Sequence, residues 1–463
     1  MSRYALGYVS VGVCSLLIFT PSVVSQEIDA QWAGPLHYEQ LASRLVPGPA
    51  PPLPGELLYY VTPLGGLRDW AISTDPWGIN QLGQVTGTSL NPDVDREAFL
   101  WDPVEGMIGL GDLPGGDFQS YGYAVNNLGH VAGRGRAESD LQAMFWTPED
   151  GMISLAGYPG WGSYGIAVGI NDLDQVVGEG RHLGYGREAF LWDAELGLIG
   201  LGDLPGAQYY SQPWGVNNAG EVTGFSTSGE HLWGEGLIWD KANGMRPLWG
   251  TPPGVYAWTA CDINELGQIT GTTDTGEAYL WDPQAGLMPL GRLQPGNHQT
   301  CAYGLNDVGQ VVGQYDPDWD PRGAFIWDAE HGMRDLETLI AAGTDPNYAD
   351  LLLARRINSA GQIIAKPMPC WEGVVLAPFV LGDLNCDELV DEQDLGALLL
   401  ILLDPEEYAQ TYPDCPGQWA GDINQDGVLD PADLYALRDF LIGPPSTLPA
   451  ADDIPAEHVF RVP

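Results

Sequence analysis

Two stretches near the carboxy terminus carry oxygen-bearing side chains at the spacing of a metal-binding loop. They run from 383 to 394 and from 422 to 433, and in both an acidic or amide side chain stands at loop positions 1, 3, 5, 9 and 12. A hard cation such as Ca²⁺ takes about six to eight oxygen ligands, and the carbonyl at position 7 supplies another donor. The pattern predicts two bound Ca²⁺ ions, with ligands from Asp383, Asn385, Asp387, Leu389, Asp391, Asp394, Asp422, Asn424, Asp426, Val428, Asp430 and Asp433.

Each loop leads into an apolar segment that we expect to be helical, Leu395 to Leu403 and Leu434 to Ile442. The alternative is a pair of solvated acidic turns, but two loops that match at five ligand positions each favour metal sites. Residues 382–463 hold 18 acidic and 2 basic residues, a net charge of −16 that would repel itself without cations. We therefore expect the Ca²⁺ to be structural, so that a chelator unfolds this segment and leaves the rest of the chain intact.

The whole chain is acidic, with 62 Asp and Glu residues against 18 Lys and Arg residues and a net charge of −44. A surface of that charge repels phosphate backbones and anionic headgroups, which excludes nucleic-acid binding and polybasic docking to membranes. Hydrophobic residues make up 44% of the 463 residues, enough to bury a core.

The amino terminus has the pattern of a secretory signal peptide over residues 1–25. Arg3 precedes an apolar stretch from Val9 to Phe19, and small residues lead to a cleavage site before Gln26. The alternative is a membrane anchor, but the apolar stretch is shorter than the roughly 20 residues that a span needs. The sequence therefore predicts an exported protein without a membrane span, with residues 26–56 as a lead-in.

Five cysteines remain after the predicted signal peptide. This odd number allows at most two disulfides and leaves one thiol, in keeping with export. The pairs that we predict are Cys386 with Cys415, and Cys261 with Cys301, because the latter two stand near equivalent places in neighbouring repeats.

A unit of about 46 residues recurs seven times between residues 57 and 381. Asn-x-x-Gly, flanked by Val, Ile and Thr, marks each copy, with Asp174 in place of the third Gly, and the Asn residues are Asn80, Asn126, Asn171, Asn217, Asn264, Asn306 and Asn358. An apolar strand that ends in Trp follows in six copies, and then a strand of the Gly-Met-Ile type. Asn and Gly at this spacing suit a type I turn with a bulge that needs positive φ. Each unit thus supplies four short strands, as one blade of a β-propeller does.

The ends of the array predict a closed ring rather than an open solenoid. Leu57 to Leu64 reads as a fourth strand without preceding partners, and the seventh unit, which ends with Val374 to Val380, lacks a fourth strand. Pairing the two would remove two exposed sheet edges. We therefore predict a mainly β fold: a seven-bladed propeller of four-stranded blades over residues 57–381, then a small α-helical calcium-loop domain over 382–443 and a Pro-rich tail over 444–463.

The triplets that begin at Glu97, Glu188 and Gly323, together with the Asn-x-x-Gly turns, resemble the extracellular HAF repeats of bacterial secreted proteins over residues 57–380. The resemblance implies a repeat architecture and export, and it implies no reaction.

The C-terminal segment, residues 382–443, resembles a type I dockerin, a module of two loop–helix repeats. Asp instead of Glu at loop position 12, and a helix on one side only, separate it from an EF-hand pair. The resemblance implies Ca²⁺-dependent binding to a cohesin domain on a scaffold protein or cell surface, typically in machinery that degrades polysaccharides. Glu388 stands where the family has Gly, which implies a strained or weaker first site. The family's recognition positions correspond here to Glu392, Gln393, Pro431 and Ala432; the two pairs differ, so the resemblance does not extend to symmetric dual binding.

The propeller carries less specific chemistry. The Asp that follows the repeated Trp recurs at one structural position, as at Asp102, and we expect it to cap a turn. The sequence has no Gly-x-Ser-x-Gly or His-Glu-x-x-His motif, and its seven His residues do not cluster. Four aromatic residues stand three residues before a repeated Asn and are candidates for a ligand face at the mouth of the channel: Trp77, Tyr123, Trp214 and Tyr303. Such rings suit a sugar, whose apolar face packs on them, and the alternative is that they pack between blades.

These observations predict a secreted, non-catalytic binding or assembly protein that contacts a cohesin-bearing partner through its carboxy terminus and a glycan or protein through its propeller. The main alternative is a glycoside hydrolase or lyase with carboxylates among the variable loops 112–122, 179–187, 225–235 and 314–322. A third is a structural surface protein without a small ligand. Paired carboxylates about 5–10 Å apart in one pocket would favour hydrolysis, and an aromatic face without them would favour binding.

Overall fold

The computed structural model describes residues 56–67, 73–90, 95–116, 119–137, 140–155, 161–182, 186–206, 210–227, 234–293, 299–316, 322–368, 371–387, 389–413 and 415–442. The predicted signal peptide, nearly all of the lead-in, Cys370, Glu388 and the tail lie outside the described residues.

Seven four-stranded antiparallel sheets form the greater part of the fold, and six of them take their strands in chain order from one repeat. The first four blades consist of β2–β5 (Ser73–Ile79, Val85–Leu90, Arg96–Asp102, Gly106–Gly109), β6–β9 (Ser120–Val125, Val131–Ala137, Asp140–Thr147, Gly151–Ser154), β10–β13 (Trp161–Ile170, Val176–His182, Arg187–Asp193, Gly197–Gly202) and β14–β17 (Ser211–Val216, Val222–Ser226, Glu235–Asp240, Gly244–Pro247). The next two consist of β18–β21 (Ala257–Ile263, Ile269–Thr273, Ala278–Asp282, Gly286–Pro289) and β22–β25 (Thr300–Leu305, Val311–Tyr315, Gly323–Asp328, Gly332–Asp335).

The seventh blade closes the ring with the first strand of the propeller. It contains β26 (Leu351–Ile357), β27 (Ile363–Pro367) and β28 (Val374–Val380), and β28 pairs with β1 (Leu57–Pro63) in a register that sets Leu57 opposite Val380. This pairing leaves neither strand with a free edge there. The predicted seven-bladed propeller and its mode of closure are confirmed.

The predicted turn after each inner strand, which is the first strand of a blade, is also confirmed. The fourth turn residue has positive φ in every copy, for example 77° at Gly83 and 57° at Asp174. The Asn side chain fixes the turn, because Oδ1 of Asn80 accepts from the amides of Leu82 and Gln84. Glycine adopts this backbone without strain, and Asp tolerates it better than most residues.

The repeated Asp after the Trp strand caps the next turn, as predicted. Oδ1 of Asp102 accepts from the amides of Val104 and Glu105, at 2.8 and 3.1 Å. These two hydrogen bonds, and one from Gln84, lower the pKa of Asp102. The same arrangement recurs at Asp193, Asp240, Asp282 and Asp328. These carboxylates therefore have a structural role.

Five helices and one 3₁₀ turn complete the described residues. The turn Leu336–Leu339 and helix α1 (Pro346–Ala349) lie between the sixth and seventh blades, and the helices after β28 are α2 (Glu392–Leu403), α3 (Pro405–Thr411), α4 (Gly417–Ala420) and α5 (Pro431–Ile442). The predicted apolar helices correspond to α2 and α5, which begin three residues earlier than expected because Asp391 caps α2 and Pro431 starts α5. The short helices α3 and α4 were not predicted from the sequence.

The C-terminal helices share a hydrophobic core with the seventh blade. Leu58 of β1 and Phe379 of β28 are buried in one cluster with Leu384, Leu398 and Leu437. The amide of Gly382 donates to the carbonyl of Ala420 at 2.9 Å. The segment after residue 382 and the propeller belong to one compact unit. Independent unfolding of this segment, which we expected from the sequence, does not agree with a shared core.

One of the two predicted disulfides is present. Cys386 and Cys415 are bonded, with their Cα atoms 5.9 Å apart, and the bond joins the first loop to the start of α4. Cys261 and Cys301 are not bonded to each other, so that prediction was wrong. Cys261 stands at a register shift in β18, three residues before its Asn, whereas Cys301 pairs with Gln314 and stands five residues before its Asn. Their places in the repeat are close but not equivalent, and a disulfide needs a specific geometry.

The described helices include none that is long and apolar enough to cross a membrane.

Candidate functional site

A bulge in every inner strand turns one side chain toward the axis of the propeller. In the first blade, Pro76 pairs with Gly87 and Gly78 pairs with Thr86, so Trp77 is left without a partner in the ladder. The other six inner strands have the same register shift three residues before the repeated Asn. A bulge re-aims the extra residue, and here it directs seven side chains into the channel.

These side chains surround a cavity of about 470 Å³, the central cavity. Its lining consists of Trp77, Tyr123, Ile166, Val168, Trp214, Cys261, Tyr303, Leu353, Arg355 and Arg356. All four aromatic residues that the sequence singled out are brought together here, and each is partly rather than fully buried. The volume falls in the range of about 300–1,000 Å³ of pockets that hold small ligands.

Sequence reasoning missed three residues at the same position of the repeat. Val168, Cys261 and Arg355 occupy the bulge in the third, fifth and seventh blades. Alignment of the seven copies on their Asn residues would have found them, because each stands three residues before that Asn. Aromatic residue type alone does not identify Arg355, which is the only charged residue among the seven.

Arg355 is held on the aromatic wall by contacts with the first blade. Its Cζ lies 3.6 Å from the centroid of the Trp77 ring, and its Nη1 donates to the carbonyl of Pro76 at 2.9 Å. The same nitrogen is 3.1 Å from Oδ1 of Asp75, which also accepts from Lys366 at 3.2 Å. Burial lowers the pKa of Arg355, and Asp75 opposes that effect.

Arg356 reaches the neighbouring sixth and fifth blades. Its Nη1 donates to the carbonyl of Tyr303, and its Nε is 3.9 Å from Oδ2 of Asp262. Burial raises the pKa of Asp262 and of Tyr303. Burial also raises the pKa of Tyr123 to about 12, so both tyrosines are neutral hydroxyl groups at physiological pH.

A second group of polar and aromatic residues lies next to Tyr123. The guanidinium of Arg134 is 4.2 Å from the ring centroid of Tyr121 and 5.8 Å from that of Tyr123. Its Nε is buried without a hydrogen bond. At the equivalent position of the third blade, Glu179 is buried and its Oε1 lies 2.5 Å from Nη1 of Arg187. Burial raises the pKa of Glu179.

The two C-terminal loops have the same internal hydrogen bonds. The position-12 carboxylate of the first, Asp394, accepts from the amides of Asn385 and Asp391, at 3.2 and 2.8 Å. In the second loop Asp433 accepts from the equivalent amides of Asn424 and Asp430. The residue at position 4 has positive φ in both, 57° at Cys386 and 55° at Gln425. The two loops share these features, and in both the side chains at positions 1 and 12 are buried.

The donor set of each loop fits a hard cation by its chemistry. Asp394, Asp422 and Asp433 are buried, and none of them forms an ion pair with a Lys, Arg or His among the described residues. Buried carboxylates without cationic partners are costly unless a metal ion or hydrogen bonds stabilise them. No group of three or more His, Cys, Asp or Glu side chains in the described part of the chain is arranged to hold a metal. The predicted donors also include an Asn oxygen and a carbonyl in each loop.

The residues at the predicted partner-binding positions are accessible. Glu392 and Gln393 are exposed at the start of α2, and Pro431 and Ala432 are exposed at the start of α5. No residue that the structure describes covers them.

No protein-family model matches the sequence, and no curated protein is similar enough to count as a relative. Solved structures with a similar fold include an oligogalacturonate lyase from Vibrio parahaemolyticus, at 10% identity and a TM-score of 0.44, which covers 70% of this chain and 91% of that one. The β-propeller domain of Cps50 (Swd1) from Myceliophteria thermophila matches at 10% identity and a TM-score of 0.42, covering 69% of this chain and 99% of that one. A gluconolactonase from Xanthomonas campestris matches at 11% identity and a TM-score of 0.35, over 72% and 99%. Identities and scores this low carry no argument about what this chain binds.

Proposed function

We propose that this chain is a secreted, non-catalytic binding protein. Its propeller binds a saccharide in the central cavity, and its C-terminal segment is a Ca²⁺-dependent dockerin that attaches to a cohesin-bearing partner, in the context of polysaccharide degradation. The observation that carries the proposal is the aromatic wall, on which four rings from four blades border one cavity. Sugar rings pack their apolar faces on such walls, while neutral tyrosine hydroxyls bind their hydroxyl groups.

The charged groups around the cavity favour binding over hydrolysis. Hydrolysis would need two protein carboxylates about 5–10 Å apart beside the bound substrate. The described lining residues include no carboxylate. The nearby acidic groups are held by basic side chains: Asp75 contacts Arg355 and Lys366, Asp262 lies 3.9 Å from Arg356, and Glu179 contacts Arg187. These carboxylates are engaged in ion pairs and do not flank an open substrate site.

The attachment half of the proposal rests on the twin loops. Asp and Asn oxygens of each loop would hold one Ca²⁺, which neutralises carboxylates that lack cationic partners. The exposed pairs at the starts of α2 and α5 would then contact the cohesin domain. Calorimetry of the full chain with CaCl₂ tests this directly: we expect two bound ions, and no heat on titration would refute it.

A glycan array followed by calorimetry tests the propeller. We expect Trp77→Ala and Trp214→Ala each to weaken saccharide binding by at least tenfold, because each removes a stacking face. Trp249→Ala is the matched control, since Trp249 is exposed and lies outside the cavity. Equal loss in all three variants, or no glycan bound by the wild type, would argue against a saccharide site.

Two further measurements address the partner and the alternative function. Capture of the chain by immobilised cohesin domains should require Ca²⁺ and should be lost with EDTA. Glu392→Ala with Gln393→Ala tests the first recognition pair without touching a buried residue. Release of reducing ends or unsaturated products from a polysaccharide would favour the glycoside hydrolase or lyase instead.

A further inference from the structure

The lining of the central cavity differs in charge from the whole chain. Acidic residues outnumber basic ones 62 to 18 in the sequence, yet the described lining of the cavity includes two arginines and no carboxylate. The carboxylates of Asp172, Asp262 and Glu265 line the adjoining part of the channel instead. A lining drawn without selection from this composition would be acidic. Arg355 and Arg356 therefore mark the ligand as something other than a neutral molecule.

The neighbouring side chains balance these charges only in part. Asp262 lies 3.9 Å from Arg356, while Asp75 is shared between Arg355 and Lys366, so that one carboxylate serves two cations. Arg134, beside Tyr123, makes no ion pair with the described residues and its Nε lacks a hydrogen bond; its charge acts on the buried Glu179, which already pairs with Arg187. Basic groups that are desolvated and incompletely balanced are stabilised when an anion binds beside them.

Arg355 also has donors to spare. Its polar contacts with described residues, to Pro76 and Asp75, both run through Nη1. Nε and Nη2 make no hydrogen bond with any described residue. A guanidinium presents five N–H donors in a planar fork that matches a carboxylate, so Arg355 can keep its present contacts and still bind one.

We propose, on the basis of the saccharide site argued above, that the ligand of the central cavity is an acidic saccharide. Uronic acid rings lie against the aromatic wall, and Arg355 binds a carboxylate. The overall charge of −44 does not prevent this, because its long-range field is screened beyond about 8 Å at physiological salt. A short oligosaccharide enters the basic cavity, whereas a nucleic-acid duplex is too wide to enter it and meets the acidic exterior.

The decisive comparison is between uronic acid disaccharides and the same disaccharides after reduction of the carboxyl groups. Glucuronate, galacturonate and mannuronate pairs cover the common stereochemistries, and calorimetry with tryptophan fluorescence reports binding. We expect at least one acidic disaccharide to bind at least tenfold more tightly than its reduced counterpart. We expect Arg355→Gln to abolish that preference and Arg355→Lys to retain part of it.

Arg246→Gln is the matched control. It removes one positive charge from the outer strand β17, where Arg246 pairs with Asp240 at 2.5 Å, and it should leave the preference unchanged. Arg134→Met is a second variant, which removes a cation that has no ion-pair partner to disturb, and it should reduce the preference as well. Circular dichroism checks that each variant is folded.

Each other outcome is decisive. Equal binding of acidic and reduced disaccharides would overturn the acidic ligand and leave the saccharide site standing. Binding of benzoate as tight as that of the uronates would show that the cavity selects aromatic acids instead. Failure of all saccharides, acidic and neutral, would overturn the saccharide site and this inference together.

Discussion

Nδ2 of Asn358 donates to the main-chain carbonyl of Asn80 at 3.0 Å, across 278 residues of sequence. The same bond joins each repeated Asn to the next, from Asn80 to Asn126 at 2.8 Å and so on around the propeller. Seven buried side chains thus form a closed ring of hydrogen bonds, and the bond from Asn358 closes it beside the strand pairing of β1 and β28. The Asn of the repeat therefore serves the contact between blades as well as its own turn.

Asn358→Asp should destabilise the propeller by about 2–4 kcal/mol. The substitution keeps Oδ1, which caps the turn through the amide of Gln362, and removes the donor to Asn80 and to Oε1 of Gln362. The carbonyl of Asn80 then keeps only the amide of Gly83, and a carboxylate oxygen faces both acceptors in place of a donor, at a cost of about 1–3 kcal/mol for each lost hydrogen bond. Urea unfolding measures the change, and Asn347→Asp, at an exposed position, is the control. A loss no larger than that of the control would mean that the ring contributes nothing to closure.

A second ring follows from the residue after each Asn. The amide of Gln81 donates to Oδ1 of Asn127, and the amide of Asn127 donates to Oδ1 of Asp172. The position accepts Gln, Asn, Asp, Glu or Ser, and all of these carry a side-chain oxygen. In six of the seven copies this side chain accepts from the amide of the preceding blade, whereas the hydroxyl of Ser359 donates to Oδ2 of Asp307.

Two departures from the repeat in the second and third blades compensate each other. His130 replaces the Gln or Glu that elsewhere accepts from the Asn side chain, and Asp174 replaces the Gly of the next turn. Oδ1 of Asp174 lies 2.8 Å from both Nδ2 of Asn126 and Nδ1 of His130. The carboxylate of Asp174 thus supplies the acceptor that His130 does not. The cost is backbone strain, because Asp174 is a non-glycine residue with positive φ.

The effect of Asp174→Gly on the free energy of unfolding should depend on the residue at position 130. Alone, it relieves backbone strain of about 1 kcal/mol but leaves Asn126 and His130 without their acceptor, so we expect a net loss of stability. With His130→Gln present, the new Oε1 accepts from Asn126 as Gln84 accepts from Asn80, and Asp174→Gly becomes stabilising. A double-mutant cycle in urea should give a coupling of about 1–2 kcal/mol. Additive effects would contradict the compensation.

The sequence was sufficient for the fold because the repeat carries its own positional markers. Asn and the positive-φ residue fix each turn, Trp marks the third strand, and the unpaired segment Leu57 to Leu64 shows where the ring closes. The bulge three residues before each Asn has no such marker, because Trp, Tyr, Val, Cys and Arg all occupy it. The position of Arg355 in the cavity follows from the bulge in β26.

The same limit explains the error over Cys261 and Cys301. Sequence position in a repeat gives the blade and the strand, but Cys261 occupies the bulge of its strand and Cys301 lies in the regular ladder opposite Gln314. Cys386 and Cys415 were predictable because they lie within one small segment, where a short loop and a helix leave few other partners.

Glu337 should make the stability of the propeller depend on pH. Burial and the neighbouring Asp335 and Asp350 raise its pKa from 4.5 to about 7. Because the folded value is higher, the native state holds this proton more tightly than the unfolded chain does. The stabilisation is fully present below about pH 4.5 and is lost as the pH rises through 7.

Glu337→Gln removes this titration and can still accept from the amide of Leu351, as Oε1 of Glu337 does at 3.2 Å. We expect the free energy of unfolding to fall less between pH 4.5 and pH 8 than in the wild type, at fixed Ca²⁺ concentration. Glu330→Gln, at an exposed position of the same blade, should leave the wild-type slope intact. If the free energy of unfolding falls equally with pH in the wild type and in both variants, the pH dependence does not come from Glu337.

Chelation should weaken the propeller as well as the C-terminal segment. The second loop touches the turn before α1, where the amide of Ala342 donates to Oε1 of Gln425 at 3.0 Å. The apolar cluster beneath includes Leu58 of the closing strand. If the loops bind Ca²⁺ as proposed, EDTA should lower the melting temperature of the whole unit and speed hydrogen exchange in β1.

Gly343→Ala should uncouple the two parts. A Cβ at this position would lie 3.0 Å from Cα of Gly427 in the second loop, and φ at Gly343 is 78°. The contact must open, so EDTA should affect β1 less in this variant than in the wild type. Gly332→Ala is the matched control, because φ there is 69° and a Cβ would meet nothing within 4 Å. If EDTA speeds hydrogen exchange in β1 equally in Gly343→Ala and in the control, the coupling does not pass through this contact. If the EDTA effect is lost in Gly343→Ala alone, the coupling passes through the contact between Gly343 and Gly427.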